Sequence, residues 1–394
     1  MKKKVIHTPE GVRDIYGQEY EKKWSLQTIL HEHFSLFGFQ SIQTPTFEFF
    51  DVFGNEVGTT RSNELFKFFD KEGNTLVLRS DFTPSMARCA SKYFVQMGVP
   101  VRLSYLGNTF TNTSTLQGKL KEITQAGIEI IGDDSIYADA EAIQVAALGL
   151  RATGLKEFQI SVGEMGYFKG ICEEAGLDEE TELALREFIS LKNYFGAEEL
   201  LNEKMIAPNY IQAILSVTDL FGGIEILEQA KKYIHNEKSL QALDRLKGVY
   251  DLLCEYELEQ YISFDLGMLS MYNYYTGVVF KAYTYGVGDA ILKGGRYDNL
   301  LSHFGKTSPA IGFVIAVDEL LVAIASQKIE MNLVPKVTLI IYQQKNLKQA
   351  ITQANFLRSQ KERVEMVYLP SGVDEATFIK QYSNTAYKEM ILVK

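Results

Sequence analysis

Six residues could do chemistry together: Asp81, Thr83, Gln125, Glu129, Tyr275 and Tyr297. Asp81 and Thr83 follow Thr75 to Arg79, a run that reads as a strand. Gln125 and Glu129 stand four apart on a second predicted strand, so their side chains share a face. Tyr275, Thr276 and Gly277 open another strand, and Tyr297 follows the Gly294-Gly295 pair. Together they could line a concave pocket over an antiparallel sheet. A carboxylate such as Asp81 suits an ammonium group, and Glu129 with a tyrosine hydroxyl suits an imidazole N–H. Taken singly, each has a plainer role. A solvated strand face accounts for Gln125 and Glu129, and core packing with a hydroxyl reaching water accounts for the tyrosines.

Other chemistries fail on spacing. Gly305, Lys306 and Thr307 invite a phosphate-loop reading, but the glycine required five residues before Gly305 is Leu300. Gly286 and Gly288 lack the third glycine of a dinucleotide fingerprint, since position 291 is Ile. His31 and His33 lie two apart on a predicted helix and cannot share a face as a metal pair. The cysteines Cys89, Cys172 and Cys254 are far apart and odd in number, which gives neither a disulfide framework nor a zinc site. No Gly-x-Ser-x-Gly occurs. These readings leave no cofactor and no metal expected.

The elements that must position the six residues follow from periodicity. Glu19 to Phe37 reads as a helix stopped by Gly38, with Phe39 to Thr44 extended after it. Pro84 suits the start of a helix through Tyr93, where its missing N–H costs nothing. Val101 to Leu106 and Glu122 to Ile131 read as strands, Asp139 to Leu150 as a helix and Glu157 to Val162 as a strand. From Tyr167 to about Glu259 the chain is rich in Leu, Glu, Ala and Lys and reads as mainly helical. Strands are expected again at Ile262 to Leu266, Thr276 to Ala282 and Ala290 to Leu292. Gly294 to Asp298 reads as a turn into a helix, and Ala310 to Ala316 leads into a helix over Val317 to Ser326. After Pro335 the pattern is β-α-β-α-β, a small α/β unit. The expected fold class is α+β: a body over residues 1–328 with a helical insertion at about 167–260, and a C-terminal unit over 335–394.

The chain has 394 residues, 46% hydrophobic and 23% charged, which is globular usage. Its net charge is −10. Residues 331–394 hold nine basic and five acidic residues, a net +4, so the first 330 carry −14. That acidity argues against a large nucleic-acid footprint. The N-terminus lacks an apolar signal segment, and no apolar run reaches the roughly 18 residues of a membrane span. A cytoplasmic soluble protein is expected.

Six segments, in order, resemble the class II aminoacyl-tRNA synthetases and specifically the histidyl family. Phe39 to Pro45 resembles motif 1, Arg102 to Gly132 motif 2, and Ala310 to Leu321 motif 3. Leu78 to Arg88 resembles the amino-acid-binding segment, Tyr274 to Phe280 the histidine-specific motif, and Gly294 to Asp298 the segment after it. The resemblance covers about the first 325 residues. It implies an antiparallel sheet flanked by helices. It also implies a histidine site at Asp81, Thr83, Gln125, Glu129, Tyr275 and Tyr297.

The chain departs from that family where phosphates would sit. The arginine after the motif 2 Phe is Thr111, the motif 2 glutamate is Thr113 and the loop arginine is Ser114. The arginine opening the histidine-specific motif is Ser270, and the motif 3 arginine is Glu319. Activation of an amino acid by ATP needs fixed positive charge at the α-phosphate. Losing one such contact costs about 3–4 kcal/mol of transition-state stabilisation. No Arg lies between Arg102 and Arg151 to take over. A catalytically stripped synthetase with a kept histidine pocket resembles the regulatory-subunit family of ATP phosphoribosyltransferase. The resemblance implies a short-form catalytic subunit as partner, a homodimer within a hetero-octamer, and histidine as effector. It implies no catalytic residues, no nucleic acid and no membrane. The C-terminal unit resembles a shortened anticodon-binding domain. Two other readings remain: a divergent histidyl-tRNA synthetase, and a synthetase relic that senses tRNA.

Overall fold

The computed structural model describes residues 6–54, 60–94, 99–113, 120–270, 275–331, 337–382 and 387–394. Ser114, Tyr274 and Pro335, used above, lie outside them. The chain divides into two compact units, Met1–Glu330 and Met331–Lys394.

The first unit opens with helix α1 (Gly17–Leu36), which buries Leu26, Leu30, His33 and Phe34 at helical spacing. Gly38 ends it in the left-handed region at φ 78°, and the Phe39 N–H donates to the Phe34 carbonyl. Four short strands follow: β1 (Gln40–Ser41), β2 (Phe47–Phe49), β3 (Lys67–Phe69) and β4 (Thr75–Leu78). Helix α2 (Thr83–Tyr93) carries Pro84 in its first turn. Then come β5 (Val101–Phe110), β6 (Glu122–Ile131), α3 (Ile136–Ala152) and β7 (Gln159–Glu164). Ser135 caps α3 by accepting from the Ala138 N–H. A helical stretch holds α4 (Met165–Glu174), α5 (Glu179–Ser190), α6 (Tyr194–Glu203), α7 (Pro208–Ser216), β8 (Phe221–Gly222), α8 (Glu225–Ala230) and α9 (Glu237–Glu255). The chain returns to the sheet as β9 (Ile262–Asp265), β10 (Val278–Tyr283), β11 (Leu292–Arg296) and β12 (Ala310–Ala316), and α10 (Val317–Ser326) closes the unit.

The main sheet has nine strands in the order β1-β5-β6-β12-β11-β10-β7-β9-β8. It is antiparallel from β5 through β7, and parallel where β1 meets β5 and β7 meets β9. The expectation of an antiparallel sheet therefore holds at the centre and gives way at both flanks. A second sheet, β2-β4-β3, carries the chain into α2. Two local expectations are corrected. Gly294 to Arg296 is strand, not turn, because β11 pairs on both sides and needs those backbone groups in the ladder. The extended segment after α1 shortens to Gln40–Ser41, which has a single neighbour, β5.

The second unit contains β13 (Thr338–Tyr342), α11 (Leu347–Ser359), β14 (Val364–Tyr368), α12 (Glu375–Tyr382) and β15 (Glu389–Val393). Its sheet is fully parallel, in the order β14-β13-β15. Leu339, Ile340 and Ile341 on the middle strand are buried. A run apolar on both faces is what a parallel strand covered by helices needs.

Candidate functional site

A cavity of about 440 Å³ opens over the middle of the main sheet. All six residues singled out from the sequence line it: Asp81, Thr83, Gln125, Glu129, Tyr275 and Tyr297. Asp81 and Thr83 stand at the turn from β4 into α2, where the Asp81 carboxylate accepts the Thr83 N–H at 3.2 Å. Gln125 and Glu129 rise from β6, and Tyr275 and Tyr297 flank β10 and β11. The plain strand-face reading of Glu129 is excluded, because that side chain is 1% exposed. Tyr297 is equally buried, but its hydroxyl is turned to Glu129 and not to water.

Glu129 is the hub. Its Oε1 accepts from the Thr83 hydroxyl at 3.0 Å, and its Oε2 from the Tyr297 hydroxyl at 2.5 Å. Burial pushes its carboxyl up to about 8, although both hydroxyls pull the other way. Burial also raises the Tyr275 hydroxyl, helped by the negative charges of Asp81 and Glu129. Space for this hub comes from glycine. A Cβ on Gly312, which faces Glu129 across the β6–β12 ladder, would stand 1.7 Å from Oε2. A Cβ on Gly295 would stand 2.7 Å from the Tyr275 ring.

Two polar atoms at the cavity are buried without a hydrogen-bond partner among the described residues: Ser80 Oγ and Gln125 Oε1. Such groups are costly to leave unpaired. The arrangement can hold a small molecule that presents N–H donors to a deep carboxylate and an ammonium near Asp81 and Gln125.

The nearby arginines are committed elsewhere. Arg79 donates to the carbonyls of Asn108 at 2.8 Å and Thr44 at 2.9 Å, and lies over the Phe82 ring. Arg296 binds Asp139 at 2.6 Å and the Asp133 carbonyl at 3.0 Å. Of the replaced positions, Ser270 lines the cavity. Thr111 follows β5 and pairs its N–H with the Lys121 carbonyl, and Glu319 is exposed in the first turn of α10. The described cations lining the cavity are lysines, Lys281 and Lys293.

Sequence reasoning passed over four contributors. Tyr105 on β5 is buried, stacks on Phe82 at 4.4 Å, and has its hydroxyl raised by burial and by Glu129. Ser80, Lys281 and Lys293 also line the cavity. Strand parity with Val279 and Gly295 could have found the lysines, but only once the register between β10 and β11 was known.

Fold and pocket define a protein of the histidyl-tRNA synthetase class, and the chain matches that family over residues 11–320. The histidyl-tRNA synthetase of Nostoc sp. PCC 7120 superposes with a TM-score of 0.79 over 97% of this chain and 90% of that one, at 18% identity, a likeness of fold alone. A structure from Bacillus halodurans described as an ATP phosphoribosyltransferase regulatory subunit/histidyl-tRNA synthetase superposes with a TM-score of 0.88 and 31% identity, covering 100% of this chain and 99% of that one. The ATP phosphoribosyltransferase regulatory subunit of Acetivibrio thermocellus is 41% identical over 92% of this chain and 86% of its own length. That of Thermoanaerobacter pseudethanolicus is 38% identical over 95% and 98%. The chain belongs to the ATP phosphoribosyltransferase regulatory subunit family.

Proposed function

We propose that this chain is a non-catalytic regulatory subunit of ATP phosphoribosyltransferase, acting at the first step of histidine biosynthesis. It activates a short-form catalytic subunit and carries feedback inhibition by histidine. One observation carries the reading: the cavity keeps a buried carboxylate hub built for an imidazole, while no arginine is among its described lining residues. Histidine places a ring N–H on Glu129 and the other ring nitrogen by Tyr275, with its ammonium between Asp81 and Gln125. ATP activation would need positive charge at Thr111, Ser270 and Glu319, where there is none. The chain pairs as a homodimer through its synthetase-like body and joins the catalytic subunit in a hetero-octamer. The C-terminal unit, a shortened anticodon-binding relic, serves assembly.

The test mixes purified chain with a short-form catalytic subunit and measures phosphoribosyl transfer. Activity should rise from near zero and fall again on adding histidine. Absence of both activation and co-elution would sink the proposal. Histidine-dependent ATP–pyrophosphate exchange by the chain alone would establish the divergent synthetase instead. Salt-sensitive tRNA binding would favour the tRNA-sensing relic.

A further inference from the structure

No arginine is among the described residues lining the cavity, so a ligand carboxylate there needs another cation. The sheet register supplies a candidate. Glu129 lies in a row with Gly312, Gly295, Val279 and Gly163 across β6, β12, β11, β10 and β7. The next row on the same face, two residues along, holds Gly127, Val314, Lys293, Lys281 and Ser161. Lys281 and Lys293 are direct cross-strand partners, and both line the cavity. Adjacent like charges on facing strands repel, so the pair suits a position where an anion bridges it.

We propose that Lys281 and Lys293 form the carboxylate-reading end of the pocket. This rests on the reading of the cavity as a histidine site. From Glu129 to Lys293 the sheet spans about 10 Å across two strand spacings and about 7 Å along the strand. The side chains of both residues reach into that gap. The lysine row lies one step from Glu129 toward Gln125 and toward the opposite side of the cavity from β6. The three groups thus form a triangle: ring at Glu129, ammonium at Asp81 and Gln125, carboxylate at the lysines. A tetrahedral α-carbon fits that arrangement.

The surroundings leave the Lys281 ammonium available and hold Lys293 only through an exposed pair. Lys281 is half-buried, and no described residue pairs with its ammonium in an ion pair. Burial and Lys293 hold its pKa below the ordinary value, while Asp289 and Asp265 offset part of that. Lys293 meets Asp289 at 3.2 Å, with both side chains about half in solvent. A ligand carboxylate between them would relieve the repulsion between the two cations.

The experiment measures binding of histidine and of histamine, which lacks the carboxylate, to the full chain by calorimetry. Wild type should prefer histidine by at least about tenfold. Lys281→Met should remove most of that preference by weakening histidine alone. Lys281→Arg should restore it, and Lys293→Met should act in the same direction. Equal loss of both ligands, or no change in the preference, would overturn the carboxylate site while leaving the histidine pocket standing. Failure of wild type to bind either ligand would overturn the pocket reading and this inference with it.

Discussion

Burial raises the Glu129 carboxyl well above its ordinary range, and that has a stability consequence. Its folded value is about 8 against an ordinary 4.5. Between those values the unfolded chain has released the proton and the folded chain has not. The stabilisation is complete below 4.5 and is lost as pH rises through 8. Glu129→Gln should therefore gain on wild type by a few kcal/mol between about pH 5 and about pH 8, read by thermal denaturation. The comparison of the two proteins isolates Glu129 from Glu164, also raised by burial, to about 7, and from His33, lowered by burial, which acts with the opposite sign. The same side chain is proposed to read the effector. Glu129→Ala and Tyr275→Phe should weaken histidine inhibition by about tenfold or more while leaving activation of the catalytic subunit largely intact. Unchanged inhibition in both variants would place the effector elsewhere.

Elements hold that residue in place through close approach and buried charge. The β6–β12 ladder brings Gly312 against Glu129, and any side chain there must displace either the carboxylate or the strand. Gly312→Ala should destabilise by about 1–3 kcal/mol and abolish histidine binding. Gly288→Ala, where a Cβ meets nothing within 4 Å, should change neither. A second device ties β11 to α3 and α9. Asp139 on α3 is buried and receives Arg296 from β11 and Arg245 from α9. Arg296 immediately precedes Tyr297, so this cluster fixes the backbone that aims the tyrosine at Glu129. Removing one member of a buried charge cluster strands the others. Asp139→Ala should cost about 3–5 kcal/mol in denaturant unfolding, and should loosen histidine binding through Tyr297.

At the scale of the whole molecule, the cavity and the sheet beneath it belong to one unit, Met1–Glu330. A chain ending at Glu330 should fold cooperatively and bind histidine with unchanged affinity by calorimetry. It should co-elute less well with the catalytic subunit if the C-terminal unit serves assembly. Coupling in the intact complex must be reciprocal: if histidine lowers activity by disfavouring the active state, active-state ligands must lower histidine affinity by the same factor. A net charge of −10 opposes the approach of a long polyanion. Among the described residues no helix is long and apolar enough to cross a membrane.

The sequence alone determined the α+β class, the position of the helical stretch and the six pocket residues. The helical stretch follows from local periodicity, and the class and the six residues from side-chain chemistry read through the resemblance to the histidyl synthetase family, since each residue alone has a plainer role. The same resemblance exposed the exchanged arginines, Thr111, Ser114 and Ser270 by loss of charge and Glu319 by reversal of sign, because residue identity is legible in one dimension. Only the tertiary structure decided the parallel flanks of the sheet and the strand character of Gly294 to Arg296, since pairing partners lie far away in the chain. Likewise only the fold decided that Glu129 is buried and raised, because burial depends on what packs from α2 and β11. The lysine pair belongs to the same class. Lys281 and Lys293 are twelve residues apart in sequence and adjacent only through the register of two strands, which hydrogen bonding sets and composition does not.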